Sequence, residues 1–221
     1  MHIKISSQFK EKCPQFKGAK ISATIINTPY CEALWEEIDA FTHILRSTET
    51  TESIKNHPVI QATRDGYKAC GKQPSRYRPS SEALRRRLLR NLDLYQIDTM
   101  VDIVNLVSLT SGHSIGGFDA DYIEGDTLTL DIGKEHELYT GIGRGDLNIA
   151  NMPVYRDQKG GVGTPTSDHE RTKIRIETTH FLGLINGFDG NISRLKNAAD
   201  QLAELLKKHA SARHIDIMFY E

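Results

Sequence analysis

The sequence predicts an α+β fold: layered, mixed β-sheets with helices packed against them. Three observations predict it. Helical spacing of apolar residues dominates the first half of the chain, while short strands dominate the second. Glycines at 125, 133, 141, 143, 145, 160, 161 and 163 punctuate those strands. A long amphipathic helix followed by an alternating strand closes the chain. With 221 residues, 38% of them hydrophobic, the chain can bury a sizeable core, and a single domain over residues 1–221 is expected.

The elements follow in order. Ala19–Thr28 reads as a strand ended by Pro29. Glu32–Leu45 carries Leu34, Ile38, Phe41 and Leu45 at helical spacing, with Glu32, Glu36, Glu37 and Asp39 making its outer face acidic. His57-Pro58 breaks the chain, and Ile60–Cys70 suits a short helix before the Gly71–Pro74 loop. After Pro79, Ser80 or Ser81 is expected to cap the next helix, with Glu82 in its first turn. An apolar helix ends at Ser111-Gly112. Beyond it, Thr127–Ile132, Glu137–Gly141, Pro153–Arg156 and Lys173–Leu184 read as strands. Asn191–His209 is amphipathic, with Leu195, Ala199, Leu202 and Leu206 as its stripe and Ser193 as its expected cap. His214–Tyr220 alternates Ile215, Ile217 and Phe219 and forms the last strand.

Composition excludes several function classes. The formal net charge of −1 creates no whole-protein field toward nucleic acid, so such binding requires a local patch. Cys13, Cys31 and Cys70 are odd in number and far apart, which argues against a disulfide framework or zinc knuckle and suits a reducing cytosol. No signal-peptide core and no apolar run of about 20 residues is present, so a cytoplasmic protein without a membrane span is expected. No metal-ligand cluster and no cofactor motif is visible. Lys159-Gly-Gly-Val-Gly163-Thr-Pro-Thr lacks the lysine of a phosphate loop and reads as a hairpin or mobile loop.

The basic patch lies between Lys68 and Arg90, where eight Lys or Arg residues accompany one acid, Glu82. On a helix from Ser81 to Asn91, Leu84, Leu88 and Leu92 face inward, Arg86, Arg87 and Arg90 face outward, and Arg85 sits at the edge, suited to a structural ion pair. With Arg76 and Arg78, which flank Tyr77, these arginines form a phosphate-contacting surface on one reading. On the other they are a solvated helix face.

In the apolar helix, Asp98, Asp102 and Asn105 fall in one narrow band. Leaving such groups buried and unpaired costs about 1–3 kcal/mol each, so the band either braces a neighbouring loop or lines a pocket. Gly116-Gly117 reads as a turn that lets the backbone approach a ligand, closed by Phe118-Asp119. The alternative is a tight connection in which Asp119 caps backbone amides.

These stretches together resemble the B-three/four domain of the phenylalanyl-tRNA synthetase beta subunit, a tRNA-binding and editing domain. Val101-Asp102-Ile-Val-Asn105 is similar to the family's Val-Asp-x-Thr-Asn segment. Gly112-His-Ser-Ile-Gly-Gly-Phe-Asp119 is similar to its Gly-x-Pro-Leu-His-Ala-Phe-Asp segment, and Thr172–Phe181 resembles the strand that closes the pocket. The match spans Arg78 to about Phe181, leaving residues 1–77 and the helix and strand of 191–221 outside it. The resemblance implies the family's layered α+β fold and a pocket for an amino-acid-like group formed by Asn105, Gly116, Gly117, Phe118, Asp119 and Glu177. It also implies aminoacyl-tRNA as partner and hydrolysis of a mischarged ester.

The departures are specific. The family's pocket histidine falls on Gly116 and its Thr on Val104, and the carboxylate that reads a tyrosine hydroxyl has its best counterpart within Ser167–Glu170. The pattern looks closer to the family's freestanding members than to the synthetase itself, with no module for charging tRNA. If the chain hydrolyses an ester, His113 or His169 is the candidate base, and the amides of Gly116 and Gly117 are candidate oxyanion donors. A non-catalytic RNA- or amino-acid-binding module that retains the fold, and a protein-interaction adaptor, are the alternatives.

Overall fold

The computed structural model describes all 221 residues. In chain order the strands are β1 (His2–Ile5), β2 (Lys17–Thr24), β3 (Ser114–Asp119), β4 (Thr127–Ile132), β5 (Thr140–Gly141), β6 (Gly145–Asp146), β7 (Pro153–Arg156), β8 (Gly161–Gly163), β9 (His180–Gly187) and β10 (Arg213–Tyr220). The helices are α1 (Ser7–Lys12), α2 (Glu32–Thr48), α3 (Pro58–Ala69), α4 (Ser80–Leu88), α5 (Thr99–Ser111) and α6 (Ile192–Ala210). None is long and apolar enough to cross a membrane.

Two four-stranded sheets carry the architecture. One is antiparallel, in the order β10-β2-β9-β3; the other is mixed, in the order β1-β4-β7-β8, with β1 and β4 parallel. β5 and β6 form a separate hairpin. The antiparallel sheet is the middle of three layers. Alternate residues of its strands serve opposite cores, as the two-residue period of a strand requires. Ala19, Ile21, Phe181, Ile185 and Ile115 pack against α2, α5 and α6. Phe118, Leu182 and Leu184 pack against the mixed sheet through Leu128, Leu130, Tyr155 and Val162. The predicted stripe of α6 (Leu195, Ala199, Leu202 and Leu206) is fully buried in the helical core.

The fold class is as the sequence predicts, with local corrections. Gly116 and Gly117 lie inside β3 rather than in a turn. α4 stops at Leu88 and Asn91 turns left-handed at φ 58, so Leu92 is exposed rather than inward. Pro79, not a serine, occupies the N-cap of α4, and the Ser81 hydroxyl faces that of Ser114 at 3.3 Å. Asn191, not Ser193, caps α6. Residues 173–179 do not extend β9, because the Thr178 hydroxyl accepts the Arg175 N–H and closes a turn. His180 therefore sits at the exposed start of β9, with Nδ1 3.0 Å from the Asp121 carboxylate. β1 and α1 were not anticipated. The first alternates His-Ile-Lys-Ile beside β4, and the second is capped by the Ser6 hydroxyl and anchored by buried Phe9.

Candidate functional site

α5 begins where the Asp98 carboxylate accepts the Val101 N–H at 2.9 Å and ends at Gly112, whose φ of 79 supplies the left-handed cap. The polar band on this helix therefore divides into three separate tasks. Asp98 caps. Asp102 is buried and accepts the Trp35 indole N–H at 2.7 Å; burial raises its carboxyl to about 6, against the pull of that hydrogen bond. Asn105 alone of the three faces open space.

That space is a cavity of about 470 Å³, within the usual range for small-molecule sites. Val101, Val104, Asn105 and Ser108 reach it from one face of α5, as spacings of three and four dictate. Ile115 and Gly117 reach it from alternate positions on β3. Asp168, Lys173, Ile174 and Arg175 form a further wall, with Ser80, Ile97 and Ile142 completing the lining. The surface is mainly branched aliphatic, with a few polar groups.

Asp168 is the pivotal polar group. β3 is the edge strand of its sheet, and a single bridge, Phe118 with Lys173, is the only strand-like pairing on its outer side. The Gly117 N–H on that open edge donates to Asp168 Oδ2 at 3.0 Å. Burial pushes the Asp168 carboxyl up to about 7, with the Gly117 hydrogen bond pulling the other way. The side chain threads a gap kept open by two glycines. A Cβ on Gly116 would lie 3.1 Å from Oδ1 and one on Gly163 3.0 Å, and each would also collide with the Phe118 ring. Gly116 is thus a clearance position between the two sheets, and nothing of it lines the cavity.

The predicted pocket residues separate accordingly. Asn105 and Gly117 line the cavity together. Gly116 and Phe118 occupy the opposite face of β3, where Phe118 is core. Asp119 is buried and takes the tight-connection role, accepting the Asp121 N–H at 3.1 Å and the Thr178 hydroxyl at 2.6 Å. Glu177 is exposed in the turn beyond the cavity wall. The amides proposed as oxyanion donors are engaged, Gly117 by Asp168 and Gly116 within the β3–β9 ladder opposite Leu184.

Neither candidate histidine reaches the cavity. His113 is fully buried beside α5, neither ring nitrogen has a partner in the protein, and burial lowers it to about 4. His169 lies next to Asp168 in sequence but turns away. Its Nδ1 accepts the Arg171 N–H at 2.9 Å, and its ring meets Tyr139 edge-on at 4.9 Å. Of the Ser167–Glu170 stretch, Asp168 is the carboxylate in the cavity; no periodicity marks it, because it lies in irregular chain after β8. Lys173 and Arg175 were not anticipated either. Lys173 pairs with Glu170, and Arg175 donates to the Lys173 carbonyl at 3.0 Å while its guanidinium lies 4.2 Å from the Tyr122 ring centroid.

The basic helix is less available than its sequence implies. Buried Glu82 accepts Arg64 and Arg86, each at 2.8 Å. Arg85 is buried against Glu49 at 2.5 Å, the ion pair expected of it. Arg87 donates to the Asp93 carbonyl and stacks 3.9 Å over the Tyr95 ring. Arg76, Arg78 and Arg90 are exposed, without a carboxylate in ion-pair distance. No three His, Cys, Asp or Glu side chains converge as metal ligands.

The family profile of the B3/4 domain matches residues 62–211, about two thirds of the chain. The chain belongs to the B3/4 domain family. Among solved structures, this B3/4 chain is similar to an N-terminal fragment of the phenylalanyl-tRNA synthetase beta subunit from Pyrococcus horikoshii, with a TM-score of 0.51 and 12% sequence identity. That likeness covers 98% of the B3/4 chain and 50% of the fragment, so the chain spans about half the length of this relative. A search of curated proteins finds no match. The family match contains α4, α5, β3, the Asp168–Arg175 wall and all of α6, hence the whole cavity lining.

Proposed function

We propose that this B3/4 domain binds the aminoacyl end of an aminoacyl-tRNA and hydrolyses its ester. The observation that carries this reading is one carboxyl, Asp168, held near neutrality in an aliphatic cavity and facing a space shared with Asn105. The aliphatic walls accept an apolar side chain, and the Asn105 amide is a hydrogen-bonding group for the amino-acid backbone. A carboxyl that titrates near pH 7 suits a general base. Asp168 takes a proton from water, the hydroxide adds to the ester carbonyl, and the ribose oxygen leaves with that proton. The products are free amino acid and deacylated tRNA. Exposed Arg76, Arg78 and Arg90 are the cations free to meet RNA phosphates.

A second reading, a binding module without turnover, is favoured by the engagement of both β3 glycine amides, which leaves the oxyanion without a preformed backbone donor. Deacylation of a panel of mischarged tRNAs separates the two. Turnover that falls at least about a hundredfold in Asp168→Asn supports the hydrolase. Binding without turnover on every member of the panel selects the module.

A further inference from the structure

A second cavity of about 560 Å³ lies on the other side of the 71–80 segment, and it is polar where the first is aliphatic. Its feature is Lys72, whose side chain is almost wholly buried without a carboxylate partner. The ammonium donates to the carbonyl oxygens of Asn148 and Ala150, both at 2.8 Å, and lies 3.8 Å over the Tyr77 ring. Buried charges are ordinarily paired with an opposite charge. This one is fixed in place by dipoles and a ring, with its counter-charge missing. Arg76 approaches the same ring at 5.6 Å and is exposed and unpaired. Asn151 and Gln73 add amide groups, and a single acid, Glu135, stands exposed at the rim.

The two cavities share two chain segments. Tyr77 lines the second and Ser80 the first, a separation of at most about 11 Å along three residues. Ile142 lines the first and Asn148 the second, at the two ends of the β5–β6 hairpin region. The linings of the two cavities thus lie within reach of one extended ligand.

We propose that the Lys72–Arg76–Tyr77 cavity holds a backbone phosphate of single-stranded RNA, adjacent to the terminal residue whose ester occupies the first cavity. The assignment rests on the proposed function for the identity of the ligand, and on the uncompensated cation pair for its location. Lys72 supplies a fixed charge and Arg76 a mobile, bidentate one, a combination suited to a phosphodiester. The free cations of the cavity give the binding its salt dependence.

The test is fluorescence anisotropy of a labelled single-stranded RNA with the intact protein across a salt series. Arg76 is exposed, so Arg76→Glu leaves the fold intact. It is expected to weaken binding at least about tenfold and to reduce the slope of log affinity against log salt by roughly one. Lys196→Glu, an equal charge change on the exposed face of α6, is expected to alter affinity less than about twofold. An unchanged affinity and slope in Arg76→Glu overturns the proposal, as does an equal loss in Lys196→Glu. Protection of the cavity by inorganic phosphate or a mononucleotide with no binding of RNA overturns the RNA assignment. Failure here is distinguishable from failure of the proposed function. Ester turnover that depends on Asp168 while RNA binding ignores Arg76 removes only the phosphate site.

Discussion

Replacing Asp168 by Asn is expected to make the protein more stable at neutral pH while abolishing the proposed ester hydrolysis. The carboxyl titrates at about 7 in the folded chain against an ordinary 3.8. Between those values the unfolded chain has released the proton and the folded chain retains it, so stability falls as pH rises from about 4 to about 7. Above 7 the full penalty is present. Three units correspond to about 4 kcal/mol as an upper limit. Relaxation of the surroundings and partial water penetration around a buried carboxyl reduce the net effect to about 2 kcal/mol. Asn retains an oxygen to accept the Gly117 N–H without the charge. Urea unfolding followed by far-ultraviolet circular dichroism, at pH 4, 6 and 8, measures the difference between the two proteins. Every other titrating group is common to both, so the pH dependence of that difference isolates this carboxyl. The variant should gain about 2 kcal/mol relative to wild type between pH 4 and pH 8. A constant difference, or a gain at low pH instead, would refute the reasoning.

His113 predicts the opposite slope. Its folded value of about 4 against 6.5 means that the unfolded chain binds the proton first, so stability is lost as pH falls from 6.5 to 4, by up to about 3 kcal/mol. His113→Leu should remove that part of the acid sensitivity in thermal unfolding scans, and an unchanged acid limb would count against the buried neutral ring. Gly117→Ala adds a Cβ 3.0 Å from Ile174 Cδ1 and 3.3 Å from Val104 Cγ2, contacts that flexible side chains can absorb. Unfolding free energy should change by less than about 1.5 kcal/mol, while the KM of the proposed aminoacyl-ester hydrolysis rises as the cavity narrows. An unchanged KM would remove Gly117 from the binding surface.

The elements that depend on local rules were legible. α5 ends at Gly112 because the cap requires positive φ there, and α6 shows its buried stripe because that stripe is its only core face. Gly-Val-Gly at 161–163 is indeed half of a hairpin, with β7. What escaped is what depends on distant partners. Gly116-Gly117 has turn composition, yet it lies in a strand because Phe118 and Asp168 need the space its missing side chains leave. Arg86 and Arg87 have the periodicity of a solvent face, but Glu82 and Tyr95 claim them. In the candidate site, Asn105 was visible from helical spacing. Asp168 was confined only to a four-residue stretch, since no pattern in irregular chain tells which carboxyl turns inward. His113 and His169 were attractive for their chemistry alone; burial and a backbone hydrogen bond redirect them.

The open edge of β3 has a consequence for observing the site. The Gly117 amide is held by a side chain from the wall segment rather than by a neighbouring strand. Its hydrogen exchange is thus governed by departure of Asp168, whereas the amides facing β9 exchange only when the sheet separates. Each rate, set against the amide's intrinsic rate, gives its own opening free energy, so the ratio reports how much less it costs to open the cavity wall than to separate the sheet. A single backbone proton becomes a gauge of how often the site is open.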